Sequence, residues 1–497
     1  MRALMIQGTS SGSGKTTVVA ALCHALSRRG FSVAPFKTEN ISLNSYVARR
    51  GGPKDVGGEM AVAQAFQAML AGEEPSTDMN PILIKPRAGM MASVIINGAW
   101  VGDFAVGSSS AFSRQTGLQL AREAIERLGH HDLLIAEGMG SPAEINLYDR
   151  DIANMRTAEL LKSPVVLVGD IERGGVFASL YGTYRLLPPR WRRLVKGFVI
   201  NRMGGDPSLL GEAPRKLEAA TGVPVLGVIP YVPELELNLE DSLQVKGFGK
   251  GPVDVVVIEY PGASILTDIE PLRFDPSVSV RFAQSRGTLG SPDVIVLPGS
   301  KSVRSDLAWM RKQDLDEELI KAAGRGSTIV GICGGAQMLG KTLDDPMGLE
   351  GERPGEDAGL GLLNAVTRFS NDKVVRRVTA VDPKGEEIEA FEIHKGRTSW
   401  EGGCRSLFQT ENGPEGCVKG RIYASLLHHA LFYDPNIRAM ILGHALRSKG
   451  AEERKPQQDA SLLIEKFGTN AEKVLMKSVD IDRILSIVEE GLEGSSG

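Results

Sequence analysis

Six short apolar runs punctuate the first half of the chain: "ALMIQ", "FSVAPF", "DLLIAEG", "PVVLVGD", "GFVIN" and "PVLGVIP". Rich in β-branched residues and lacking polar alternation, they have the pattern of strands buried on both faces, which is the mark of parallel pairing. Parallel strands need crossovers, and "TTVVAALCHALSRRG", apolar at helical spacing and closed by Gly30, has the form of one. The alternation predicts an α/β fold built on a doubly wound, mostly parallel sheet with helices on both faces.

After "VIPYVPELELNLEDSL" the pattern lapses into "KGFGKGP", and a second series of strands follows: "VDVVVIEY", "VSVRFAQ", "DVIVLPGS" and "STIVGICGG". A chain of 497 residues exceeds what one core organises, so a domain boundary is expected near residues 245–252. The second half begins as α/β and turns strand-rich from about residue 360 to 425. Its end reads as helices running into the Gly/Ser tail "EGLEGSSG". The expected segments are 1–248, 249–445 and a helical extension over 446–497 with a frayed tail. The two halves are different α/β domains, not copies of each other.

With 57 basic against 61 acidic residues the net charge is -4, which gives no electrostatic argument for nucleic acid or an anionic membrane. No apolar run reaches transmembrane length, and "MRALMIQ" passes straight into a strand without the form of a signal peptide. The cysteines Cys23, Cys333, Cys404 and Cys417 form no C-x-x-C pair, so neither a disulfide framework nor a zinc site is expected, and a reducing cytoplasm is the default. A homo-oligomer is compatible with the sequence but not indicated by it.

Between the first strand and the first helix lies "GTSSGSGKTT". This is the context of a phosphate-binding loop, although Thr9 stands where the strict pattern has glycine, and Gly8 precedes it. Backbone N–H groups around Gly12 and Gly14 suit phosphate oxygens, and the following helix adds its positive end. Lys15 neutralises outer phosphates, the Thr16 hydroxyl is placed for Mg²⁺, and Thr17 continues the loop into the helix. Glu137 and Asp170 each follow an apolar run directly, at the strand ends that line the ligand crevice of such sheets, where they suit a metal. Lys37, after "SVAPF", offers a second positive charge; read alone it is equally a solvated lysine.

In the second half, "GICGG" sets Cys333 between a strand and a helix, with Gly331 and Gly335 permitting the sharp turn of a nucleophile elbow. A helix N-terminus there favours the thiolate, and neighbouring N–H groups can receive an oxyanion. A thiol nucleophile needs a base, and "SLLHHALF" supplies His428 and His429. His428 follows the strand-like "YASLL" directly and is preferred; His394 in "FEIHKGRT" is the lesser candidate.

Together these residues resemble the glutamine-dependent cobyric acid synthase family. The resemblance runs from about residue 3 to about 440. In the first half it is carried by "QGTSSGSGKTT", "PFKTENISLNSY", "DMNPILIKP", "SPAEINLYDRDIANM" and "GDIERGGVFASLYGT". In the second it is carried by "LPGSKSVRSDLAWM", "GICGGAQMLG" and "EIHKGRT". It implies a dethiobiotin-synthetase-like, P-loop-type ATP-binding domain followed by a flavodoxin-like class I glutamine amidotransferase domain. It also implies a corrinoid substrate, ATP with Mg²⁺, glutamine as ammonia donor, Cys333 as nucleophile and His428 as its histidine. The implied reaction amidates the b, d, e and g carboxylates of adenosylcobyrinic a,c-diamide to adenosylcobyric acid. Where fuller class I enzymes carry a glutamate two residues after the histidine, this chain has Ala430, so a Cys–His dyad is expected. The competing readings are a sister amidase of another carboxylated macrocycle, such as an a,c-diamide synthase, and a nucleotide-switched scaffold with a dead amidotransferase domain.

Overall fold

All six runs of the first half enter one six-stranded sheet in the computed structural model, which describes residues 1–50, 57–87, 91–105, 114–235, 247–351, 353–450 and 460–491. From one edge the strands are Val225–Pro230, Val195–Met203, Val165–Asp170, Arg2–Gly8, Leu133–Glu137 and Val33–Phe36, and every neighbouring pair is parallel. The strand feeding the glycine loop lies between those ending in Glu137 and Asp170. Strand order reverses there, which opens a crevice above the sheet's carboxyl edge. Helix Lys15–Arg28 closes the sheet with Val18, Val19, Leu22 and Leu26, all buried. Each such side chain contributes roughly 1.5–3 kcal/mol on burial.

Two smaller sheets have no counterpart in the sequence reading. One joins Glu39–Ile41, Ile82–Arg87, Met91–Ile96 and Ala99–Ala105; the other pairs Ser45–Ala48 with Gly58–Ala61. Both contribute to the contact with the second half. Lys373 of the second half bonds Glu59, Arg87 Nη2 donates to Leu349 O at 2.7 Å, and Lys395 lies 5.4 Å from the Trp100 ring centroid.

The second half is built on five parallel strands, Val253–Ile258, Val278–Ala283, Val294–Leu297, Thr328–Ile332 and Ile422–Ser425. Numbered along the chain, their order in the sheet is 2-1-3-4-5, the flavodoxin-like arrangement. Phe248–Gly249 pairs antiparallel with Val278–Ala283, so the chain has joined this sheet by Phe248, within the expected boundary at residues 245–252. The strand-rich stretch contains a long hairpin, Ala365–Val381 against Glu387–Trp400, which passes beside the cysteine elbow.

The absence of disulfides expected from cysteine spacing is corrected by a Cys404–Cys417 disulfide. Residues near 404 run antiparallel to Cys417–Lys419 through an Arg405–Val418 bridge, which brings the two sulfurs together. Spacing along the chain carries no sign of that pairing.

The C-terminal helices Ala460–Ser478 and Ile481–Glu490 pack mainly on the first half, and the first of them also touches the Leu266–Phe274 segment of the second. Phe467, Ala471, Leu475, Ile484 and Ile487 share a core with Leu22 and Leu26, and Val479 bridges Gly227. Gly468 is tightly confined, since a Cβ there would lie 2.7 Å from Leu70 Cδ2 and 2.8 Å from His24 Nδ1. The extension begins beyond helix Pro435–Ser448, which crosses the expected border at residue 446, and the last residues of the Gly/Ser tail lie outside the described ones. Among the described residues no helix is long and apolar enough to cross a membrane.

Candidate active sites

The unusual glycine spacing of the phosphate loop has a steric reason. A Cβ on Gly8 would lie 2.2 Å from Ser13 Oγ and 3.0 Å from the Lys15 side chain, and one on Gly14 would lie 2.0 Å from Asn201 Nδ2. Gly12 and Gly14 also adopt φ of 70° and 89°, which glycine takes without penalty. Asn201 Nδ2 ties down Ser13 O at 3.0 Å, and Arg202 Nη1 ties down Gly12 O at 2.7 Å. Lys15 arches over the loop to Ser10 O at 3.0 Å and Gly140 O at 3.2 Å. Thr17 is the half-buried third residue of the helix that starts at Lys15.

Glu137, fully buried, is the centre of this site. Its Oε1 accepts from Thr16 Oγ1 at 2.9 Å and Lys37 Nζ at 2.7 Å; its Oε2 accepts from Gln67 Nε2 at 2.8 Å and Gln64 Nε2 at 3.4 Å. The structure therefore brings Lys15, Thr16, Lys37 and Glu137 together. Asp170 is hydrogen-bonded to other groups: its Oδ2 accepts from Arg202 Nη1 at 2.9 Å, the same nitrogen that bonds Gly12 O of the loop, and its Oδ1 caps Glu172 N. A hydroxyl and a carboxylate converging at Thr16 and Glu137 are hard oxygen donors of the kind Mg²⁺ takes, and the buried Ser13 hydroxyl has no partner among the described residues, as befits a loop shaped for an anion. Gln64 and Gln67 are absent from the sequence reading. They lie on helix Val62–Leu70, outside any strand end or glycine loop, and no local signal marks them.

In the second half, strand Thr328–Ile332 ends at Cys333, whose φ of 49° and ψ of −108° make a strained turn into helix Gly334–Met338. The glycines around it are required by packing. A Cβ on Gly331 would lie 2.6 Å from Leu339 Cδ1, one on Gly334 would lie 2.7 Å from Ser300 N, and one on Gly335 would lie 2.1 Å from Leu297 O. That crowding sets Ser300 against Gly334 at the start of the helix, where backbone N–H groups suit an oxyanion. Cys333 is 4% exposed. Its Sγ lies 3.5 Å from Ile393 O, and the thiol is close enough to His428 to act on that imidazole.

His428 is oriented by a group that the sequence reading did not find. Its Nδ1 lies 2.7 Å from Asp268 Oδ2, and Asp268 Oδ1 accepts from His429 N at 2.7 Å. The arrangement is Cys333–His428–Asp268, not a dyad: the carboxylate that Ala430 cannot supply comes from the nine-residue 3₁₀ segment Leu266–Phe274 early in this half. Burial opposes a charged His428, but the Asp268 carboxylate and Cys333 outweigh it and raise the imidazole from 6.5 to about 9. The group therefore carries its proton at neutral pH, equipped to pass it to a leaving nitrogen.

His429 points away. Its ring stacks on Tyr433 with centroids 4.2 Å apart, its Nε2 lies 3.1 Å from Thr267 Oγ1, and burial lowers its pKa to about 4. His394 is held by Gly396 O at 3.1 Å from Nδ1, and burial lowers it too, against the pull of Glu392. Of the three histidines, geometry joins only His428 to the thiol and a carboxylate. Cys23, by contrast, is packed within helix Lys15–Arg28, and burial, assisted by Glu137, pushes its thiol far up.

Comparison with known proteins follows the same two-part division. Residues 4–245 match the family described as CobQ/CobB/MinD/ParA nucleotide binding domain, and residues 254–436 match the CobB/CobQ-like glutamine amidotransferase domain. The chain is similar along its length to a probable cobyric acid synthase of Methanopyrus kandleri, at 40% identity over 98% of this chain and 100% of the relative. The cobyric acid synthase of Sorangium cellulosum is 38% identical over 99% of this chain and 96% of the relative. That of Geobacillus thermodenitrificans is 41% identical over 90% of each.

Proposed function

We propose, from the premise that this chain belongs to the cobyric acid synthase family and is a glutamine-hydrolysing amide ligase, that it amidates the b, d, e and g carboxylates of adenosylcobyrinic a,c-diamide. The observation that carries the reading is a thiol–imidazole–carboxylate array in one half and a phosphate loop facing a buried carboxylate in the other.

A carboxylate resists attack by nitrogen because its oxygen leaves poorly. Transfer of the γ-phosphoryl of ATP to that oxygen gives an acyl phosphate, from which phosphate departs readily. The loop amides receive the phosphates, with Lys15 and Lys37 as countercharges. Thr16 and Glu137 would hold Mg²⁺, which supplies charge neutralisation on the transferring group. Asp170 serves through Arg202, as a brace on the loop.

In the other half the Cys333 sulfur attacks the glutamine amide carbon, and the carbonyl oxygen gains charge beside the Gly334 N–H. His428 donates its proton to the departing nitrogen; ammonia leaves and a thioester remains. Water, deprotonated by His428, cleaves the thioester and releases glutamate. The ammonia then attacks the acyl phosphate. The intact array argues against a scaffold with a dead amidotransferase domain, which would have no use for a carboxylate aligned on His428.

The test is to incubate the protein with adenosylcobyrinic a,c-diamide, MgATP and glutamine and to follow product mass. Four successive exchanges of carboxyl OH for NH₂ are expected. Cys333→Ala should abolish the glutamine-driven reaction while high external ammonium still supports it. A product amidated elsewhere, or continued use of glutamine by Cys333→Ala, refutes the assignment.

A further inference from the structure

The carboxylate that orients His428 sits on a segment held from the other half of the molecule. Leu266 N donates to Asn44 Oδ1 at 2.9 Å, across 222 positions of chain, and both residues are buried. Two residues further on, Asp268 meets His428 Nδ1 and His429 N. The residue before Leu266 needs such a hold. Ile265 has φ of 55°, a conformation that β-branched side chains adopt only under constraint from their surroundings. Its side chain is buried against Val47 of the nucleotide half, together with Phe391 and Ile393.

Asn44 is itself firmly placed. Its N–H donates to Ser42 Oγ at 3.0 Å, and its carbonyl accepts from Val62 N at 3.2 Å. Val62 opens the helix whose Gln64 and Gln67 reach Glu137, and Asn40 donates to Gln64 Oε1 at 2.9 Å. The stretch from Lys37 to Asn44 thus runs from the phosphate site to the backbone beside Asp268.

We propose that Asn44 is a positioning residue of the glutamine-hydrolysing site: its side-chain oxygen fixes the 265–268 segment so that Asp268 aligns His428. The nucleotide half thereby completes the triad. This rests on the glutaminase reading above. Without the acceptor, a buried Leu266 N–H loses its partner and the strained turn at Ile265 loses a restraint. Asp268 then no longer bonds Nδ1 squarely.

The experiment is steady-state release of glutamate from glutamine by the full-length protein between pH 6 and 10. For Asn44→Ala, kcat is expected to fall about tenfold or more, with a smaller change in KM, and the alkaline limb to move to lower pH, as is also expected for Asp268→Asn. In an Asp268→Asn background, Asn44→Ala should add less than about twofold, because a residue acting only through Asp268 has nothing left to position. Asn44→Asp, which keeps an acceptor oxygen, should recover most of the rate. Asn44→Leu, close in volume but unable to accept, replaces alanine if the latter does not fold. Activity of Asn44→Ala or Asn44→Leu within about twofold of wild type, or an equal loss in both backgrounds, overturns the proposal. A wild-type protein that releases no glutamate overturns the glutaminase reading itself, which is a different result.

Discussion

Replacing Asp268 by asparagine removes a charge and little volume, so it isolates what the carboxylate does for His428. Burial alone would lower the imidazole, yet with Asp268 and Cys333 beside it the group rises from 6.5 to about 9. At 1.36 kcal/mol per unit, that elevation represents on the order of 3 kcal/mol favouring the protonated ring, or about 10² in equilibrium terms. An asparagine amide can also present N–H to Nδ1 and stabilise the wrong tautomer, a fault that costs up to ~10⁴ in related triads. The glutaminase kcat of Asp268→Asn should therefore fall by about 10²–10⁴ at pH 7.5. Its alkaline limb, expected near pH 9 in the wild type, should move toward the ordinary histidine range. The sign for stability follows from the same shift. A histidine raised on folding adds stability that is full below about 6.5 and lost as pH rises through about 9. The substitution should thus lower the urea midpoint at pH 6–7 and matter progressively less above pH 9. Glutamate release and urea unfolding, each measured from pH 6 to 10, decide the matter. A variant that keeps its alkaline limb and loses less than about threefold in rate would refute the triad.

Glu137→Gln should reduce both glutamine-driven and ammonium-driven amidation by about 10² or more, because the carboxylate facing Thr16 is lost, while glutamate release stays within about threefold. Asp170→Asn should do less, since that carboxylate braces Arg202 and the loop instead of facing Thr16. With the Cys404–Cys417 disulfide closed, thiol titration in denaturant should find two free cysteines, Cys23 and Cys333; four would refute the pairing. Reduction should lower the unfolding free energy by about 2–3 kcal/mol in urea titrations, given the short loop it closes. Truncation after Gly450 strips Phe467, Leu475, Ile484 and Ile487 from the core of the nucleotide half. At roughly 1.5–3 kcal/mol each this approaches the whole stability of a domain, so nucleotide binding by calorimetry should be lost.

The sequence displayed what depends on neighbours along the chain. Every run from "ALMIQ" to "PVLGVIP" became a parallel strand, because a strand buried on both faces must be apolar throughout. Cys333 was legible because an elbow needs Gly331 and Gly335 at fixed offsets, and Lys15 and Thr16 because a phosphate loop needs its glycines likewise. What was hidden depends on contacts between distant segments. Asp268 lies 160 positions from His428 in a stretch, "ILTDIEPL", with no periodicity or motif. Cys404 and Cys417 meet only because one edge strand folds beside a loop. In the small sheets between residues 39 and 105, Glu39–Ile41 and Ser45–Ala48 span only 3 and 4 residues, and the longer Ile82–Arg87 and Ala99–Ala105 are interrupted by charged residues, proline or glycine, so neither reads as an apolar run.

The contact between the halves combines an apolar cluster, Val47 with Ile265, Phe391 and Ile393, with buried polar and charged groups. Glu59 of the nucleotide half is almost fully buried, and burial works against its charge. Lys373 from the second half and Lys85 nevertheless bond it, and with Lys301 they hold its carboxyl well below the usual range. Buried ions of this kind add little net stability, because desolvation offsets their attraction, although losing one partner costs about 3–5 kcal/mol. Here the chain enters the second half near Gly247 and its helices return to the first half from Ala460, so the amidotransferase half is tethered at both ends. Covalent attachment at two points supplies much of the association that an apolar interface would otherwise provide. The directional groups within it, Asn44 to Leu266 and Glu59 to Lys373, then constrain geometry more tightly than the apolar packing beside them does alone.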